Sequence, residues 1–94
     1  MNKEQFLSKI NQKEVVIGVI GMGYVGLPLA LEFAQKGFKT IGFDIDEKKI
    51  PLLNEGKSYI KHIAGERIKG VVESNTFEAT SDFTRLPEVD AILI

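Results

Sequence analysis

Ninety-four residues, 44% of them hydrophobic and 27% charged, are enough for one small core but few for an enzyme that handles two substrates. This is the composition of a globular chain and excludes a disordered one, and a formal net charge of -1 without a basic face excludes a nucleic-acid binder that works by neutralising phosphates. With no cysteine, disulfides, thiolate metal sites and a thiol nucleophile are absent from these residues. No apolar run approaches membrane-spanning length and no signal-peptide pattern opens the chain, so a cytoplasmic location with no membrane partner is expected.

Residues 1–13 are expected to form a helical extension, because Phe6, Leu7 and Ile10 recur at helical spacing within Asn2 to Ile10. "EVVIGVI", Glu14 to Ile20, is a β-branched run suited to a parallel strand covered on both faces. From Tyr24 to Lys36, the residues Val25, Leu27, Leu29, Ala30, Phe33 and Ala34 predict a helix with a broad buried stripe, closed by Gly37. Pro28 falls in its first turn, where backbone N–H groups lack intrahelical acceptors. Phe38 to Asp44 predicts a second strand, and Asp46 can cap a helix running from Glu47 to Asn54. Gly56 to Ser58 read as a turn, and Ile60, Ile63, Ile68 and Val71 as one or two short helices. "TFEAT" is a short strand, "SDFTRLPEVD" a capped turn or short helix, and "DAILI" a buried strand.

This alternation predicts an α/β fold, a Rossmann-type doubly wound parallel sheet with strand order 3-2-1-4 and right-handed crossovers. Its last strand would be an apolar edge, which domains normally cover. Residues 14–94 are therefore expected to be the N-terminal part of a larger domain, truncated after strand 4.

The spacing Gly21-x-Gly23-x-x-Gly26 directly follows the first strand and opens the long helix, the context in which it marks a dinucleotide site. Gly21 permits the tight turn, Gly23 lets a pyrophosphate approach the backbone, and Gly26 lets the helix pack closely on the strand. The helix N-terminus adds free N–H groups and the positive end of its dipole. Met22, Tyr24 and Val25, within the same loop, join the glycines as cofactor-binding candidates. The Tyr24 ring can lean over the dinucleotide or pack on the domain surface. Asp44 ends the second strand eighteen positions after Gly26, where a carboxylate accepts hydrogen bonds from both adenine-ribose hydroxyls. It would repel a 2′-phosphate and no arginine follows it, so NAD is expected as the cofactor rather than NADP. Lys49 can reach the adenosine ribose or its phosphate, or belong to a solvated helix face. A glycine turn used only for packing and a strand-end aspartate facing solvent are the plainer alternatives. His62, the single histidine, has no cysteine or second histidine with which to share a metal, and no catalytic or metal-binding residue is expected.

Together "GVIGMGYVGLPLA", "GFDIDEKKI", "SYIKHI" and "FEATSDFTRLPEVDAILI" resemble the N-terminal segment of the UDP-glucose/GDP-mannose dehydrogenase family, the nucleotide-sugar 6-dehydrogenases. "SYIKHI" is most similar to the branch acting on UDP-N-acetylglucosamine. The resemblance implies oxidation of a UDP-sugar C6 alcohol to the uronate in two steps, with two NAD molecules used in succession and a thioester on a catalytic cysteine. It also implies a homo-oligomeric parent, places Gly21 to Gly26 and Asp44 at the NAD, and matches Lys49 to a basic position at the adenosine ribose. The family's cysteine, lysine, asparagine and aspartate of the active site have no counterpart in these residues, so the 94 residues alone are expected to be inactive. The rival readings are a regulatory NAD(H)-sensing module resembling potassium-transport regulators, and a 3-hydroxyacid or 6-phosphogluconate type dehydrogenase. "GYVGLP" argues against the latter.

Overall fold

The computed structural model describes Glu4, residues 14–61 and residues 63–94. The helical extension expected over residues 1–13 falls, apart from Glu4, outside the described residues, as does His62. Strands β1 (Ile17–Ile20), β2 (Thr40–Phe43), β3 (Phe77–Thr80) and β4 (Ala91–Leu93) form one parallel sheet in the order β3-β2-β1-β4, as the alternation predicts. Ile17 pairs with Thr40 and with Ala91, and Thr40 pairs with Phe77, so all four strands start level. Their C-terminal ends consequently lie side by side, where open α/β sheets place ligands.

Helix α1 (Gly26–Gln35) lies between β1 and β2, and α2 (Lys49–Asn54) and α3 (Gly65–Glu73) lie between β2 and β3. A 3-10 helix, Phe83–Glu88, leads into β4. Leu27, Ala30, Leu31 and Ala34 of α1 bury against Val15, Ile17 and Val19, and Leu53, Ile68, Val71 and Phe77 complete that core. On β2 every residue is buried, and the Phe43 ring meets Phe83 of the 3-10 helix at 5.6 Å. Fully burying a Leu, Ile or Phe contributes about 1.5–3 kcal/mol, so these contacts outweigh the exposed ion pairs, each worth about 0–1 kcal/mol. Among the described residues no helix is long and apolar enough to cross a membrane.

Local chemistry sets the helix ends. Helix α1 closes in a Schellman arrangement: Gly37, at φ +95°, donates to the Ala34 carbonyl at 3.0 Å, and Phe38 donates to that of Phe33 at 3.1 Å. The Phe33 and Phe38 rings meet edge to face at 6.2 Å, sealing the turn. Pro28 is the third residue of α1, inside the first turn as expected. Helix α1 opens at Gly26 and α2 at Lys49, each two residues later than the periodicity predicts. For α2 the cause is two successive aspartate turns. Asp44 accepts from the Asp46 N–H at 2.8 Å and Asp46 from that of Lys48 at 3.0 Å, so side-chain turns lead into the helix and helical backbone angles are established at Lys48, φ -73° and ψ -26°.

The stretch expected to carry one or two helices carries one, α3. Ahead of it, the Ser58 hydroxyl accepts from Ile60 N–H at 3.1 Å and donates to the Ile60 carbonyl at 2.9 Å. That side chain competes for the Ile60 backbone groups, whose carbonyl also accepts from the Ile63 N–H at 3.1 Å in a single turn, and Ile60 and Ile63 are buried.

Gly42, in the middle of β2, faces the side chain of Met22, and a Cβ there would lie 2.4 Å from the Met22 Sδ. Because Met22 is fully buried, that sulfur has little room to move. Gly42→Ala is expected to lower unfolding free energy by about 1–3 kcal/mol, read from the midpoint of a urea titration.

Candidate dinucleotide-binding site

The level strand ends bring the exits of β1 and β2 together. Gly21 N–H donates to the Phe43 carbonyl at 2.7 Å, and Asp44 N–H continues the pattern to Thr80 at 3.1 Å. From there the chain turns through Gly21, Met22, Gly23, Tyr24 and Val25 into α1. Gly21 sits at φ +95°, a conformation side-chain-bearing residues rarely adopt. A Cβ on Gly26 would lie 1.7 Å from the Gly21 carbonyl oxygen, so the helix start is pressed directly on the turn. A Cβ on Gly23, by contrast, would meet no protein atom within 4 Å. Packing thus explains Gly26 and backbone geometry explains Gly21, whereas at Gly23 the protein leaves space into which a ligand can come close.

Met22 anchors this loop. Its side chain is fully buried, its N–H donates to Asp44 Oδ2 at 2.8 Å, and its carbonyl accepts from the Tyr59 hydroxyl. Asp44 is only 8% exposed, and its Oδ1 accepts from Asp46 N–H. Lys49 Nζ lies 3.7 Å from Asp44 Oδ2 and 5.4 Å from the centre of the Tyr59 ring. Burial pushes the Asp44 carboxyl up, but the Asp46 and Met22 N–H groups and the Lys49 ammonium outweigh it and hold the group below its ordinary value. Tyr59 moves the other way: burial, then the negative charges of Asp44 and Asp46, push its phenol up to about 12.

The structure therefore brings Met22, Asp44 and Lys49 into one network and places the glycines beside it. An ionised carboxylate offers about four lone-pair sites. The two N–H groups that Asp44 holds leave room for hydroxyl donors from a ligand. Tyr24 is 73% exposed, and Val25 beside it is exposed as well. Two residues escape the sequence reading. Tyr59 sits within "SYIKHI", a stretch informative for likeness, and nothing in its spacing reveals a partner 37 positions away. Ile45, 84% exposed directly after Asp44, presents an apolar side chain at the site, where burial patterning offers no warning.

A further concavity of about 750 Å³ is lined by the segment after α2, with Lys57, Ser58, Tyr59, Ile60 and Lys61, and by Lys69 of α3. Lys57 and Lys69 are engaged by Glu55 at 3.3 Å and Glu73 at 3.9 Å, and the glycine loop does not line it.

Asp44 carries a pH signature. Because its folded pKa lies below the ordinary 3.8, its stabilisation is complete above that value and is lost as pH falls through the lower folded pKa. Asp44→Asn supplies one acceptor oxygen for two N–H donors and turns its NH₂ toward the other. It is expected to cost about 1–3 kcal/mol near neutral pH. In urea unfolding measured across acid pH, the gap between wild type and variant should shrink only below pH 3.8.

The model of the NAD binding domain of the UDP-glucose/GDP-mannose dehydrogenase family matches residues 15–94. UDP-N-acetyl-D-mannosamine dehydrogenase of Salmonella typhimurium is 40% identical over 79 residues, covering 83% of this chain and 18% of the relative. UDP-N-acetyl-D-glucosamine 6-dehydrogenase of Salmonella typhi is 36% identical over 81 residues, covering 86% of this chain and 18% of the relative. Among solved structures, the NDP-N-acetyl-D-galactosaminuronic acid dehydrogenase of Methanosarcina mazei superposes with a TM-score of 0.77 at 40% identity, covering 98% of this chain and 21% of its own. The chain thus spans about a fifth of the length of these relatives. By this match and by the geometry of its glycine loop, the chain belongs to the UDP-glucose/GDP-mannose dehydrogenase family and corresponds to its NAD binding domain.

Proposed function

We propose that these residues hold the ADP half of NAD for a nucleotide-sugar 6-dehydrogenase that oxidises the C6 alcohol of UDP-N-acetylglucosamine to the uronate. The observation that carries the reading is the unfilled space at Gly23, next to a loop that Met22 and Asp44 lock in place. In it, Gly23 and the start of α1 receive the pyrophosphate, with the positive end of the helix dipole opposing its charge. The second pair of Asp44 lone pairs accepts from the ribose hydroxyls, and Lys49 balances the carboxylate charge beside them. A 2′-phosphate would meet that same buried carboxylate, which favours NAD over NADP. NAD, when bound, supplies the hydride acceptor.

"SYIKHI" supports the choice of sugar, while the similarities to a UDP-N-acetyl-D-glucosamine 6-dehydrogenase and to a UDP-N-acetyl-D-mannosamine dehydrogenase support a UDP-N-acetylhexosamine in general. The thioester route implied by the family resemblance needs a thiol, and these 94 residues contain no cysteine. The chain by itself is therefore a binding unit without sugar oxidation. Incubated with NAD and UDP-N-acetylglucosamine it should generate no NADH absorbance; appearance of NADH would contradict this division of labour.

Calorimetric titration tests the cofactor reading. The chain should bind NAD more tightly than NADP. Gly23→Val should weaken NAD by about tenfold or more, equivalent to roughly 1.4 kcal/mol, with little change in the urea midpoint. Equal affinities for NAD and NADP, or wild-type NAD binding by Gly23→Val, would reject it.

A further inference from the structure

Tyr59 lies in the segment between α2 and α3, yet its hydroxyl donates to the carbonyl of Met22 in the glycine loop. That carbonyl belongs to the same peptide unit as the Gly23 N–H. A trans peptide is planar and points its C=O and N–H in opposite directions, and the chain contains no cis bond among the described residues. A bond that draws the Met22 carbonyl toward Tyr59 therefore turns the Gly23 N–H away from Tyr59. Among the described residues nothing accepts from that N–H, and the space around Gly23 is open.

The preceding peptide is fixed in the same manner. Its N–H, on Met22, is held by Asp44, and its carbonyl, on Gly21, faces Gly26. The Met22–Gly23 unit has no second restraint of this kind, so its orientation depends on Tyr59. We propose that Tyr59 is a positioning residue of the dinucleotide site, holding the Met22–Gly23 peptide so that the Gly23 N–H faces the pyrophosphate. The assignment rests on the reading that the glycine loop binds a dinucleotide.

Two features suit Tyr59 to this task. Burial and the neighbouring Asp44 and Asp46 keep its proton on through neutral pH, so the hydroxyl remains a donor. Its ring also carries the Lys49 ammonium, which in turn faces Asp44, so one side chain touches both the pyrophosphate end and the ribose end of the site.

Tyr59→Phe keeps the ring and its contact with Lys49 while removing the donor. In calorimetric titrations of the chain, the variant should bind ADP and NAD about tenfold more weakly and adenosine, which has no pyrophosphate, as tightly as wild type. A residue that only stabilises the fold would not separate ADP from adenosine. Unchanged ADP affinity, or equal losses for ADP and adenosine, overturns the assignment. A second measurement needs no variant: in amide NMR spectra of the wild-type chain, the Gly23 resonance should move on addition of ADP and hold still on addition of adenosine. A Gly23 amide that stays in place in the ADP-saturated chain also overturns it. Failure of the wild type to bind either ADP or NAD instead rejects the dinucleotide reading itself, and the role of Tyr59 falls with it.

Discussion

The hydrogen bond from Met22 N–H to the Asp44 carboxylate joins the ends of the two central strands, and the site is built around it. It crosses 22 positions of sequence, which only a parallel pairing with level strand ends can bring within 2.8 Å. A one-residue slip of β2 would turn Phe43 to the opposite face of the sheet, away from Phe83, and carry Asp44 away from the loop. The same slip would move Gly42 from under Met22, whose buried side chain needs the missing Cβ. Register, loop and carboxylate thus hold one another in place.

Charge at the site serves geometry more than stability. Asp44 is buried, and its attraction to Lys49 is set against the cost of removing a carboxylate from water. The two backbone N–H groups settle the balance, since hydrogen bonds to a charged acceptor contribute about 1.5–3 kcal/mol each. The result is an ionised group whose direction is fixed before any ligand arrives. Lys49, laid over the Tyr59 ring, is held where a flexible side chain would otherwise wander. Preorganisation of this kind lowers the ordering cost of binding.

The glycines of the loop and of the strand beside it answer to different demands. Gly26 is pressed on the Gly21 carbonyl and Gly42 on the Met22 sulfur, so both answer to internal packing. Gly23 answers to nothing inside the chain. The motif gives its three glycines a turn, an approach and a packing role, and the structure shows a positive φ at Gly21, close packing at Gly26 and open space at Gly23.

By itself the sequence determined the strand order, the glycine loop after the first strand and the place of Asp44 at the end of the second. Those features come from local periodicity and from spacing along one β-strand, turn and helix, where neighbours in sequence are neighbours in space. It also placed Pro28 in the first turn of α1 and Gly37 at the helix end, because caps are written in adjacent residues. Tertiary structure alone decided that Asp44 holds Met22, whereas the aspartate turns ahead of α2 and the Ser58 turn ahead of α3 are local bonds between residues two apart, which hydrophobic periodicity does not register. It alone brought Tyr59 to the Met22 carbonyl, since that contact depends on how α2 and the chain after it fold back across the sheet end. Periodicity carries no information about which distant hydroxyl meets which carbonyl; only the packed chain, with each buried polar group seeking a partner, makes that choice.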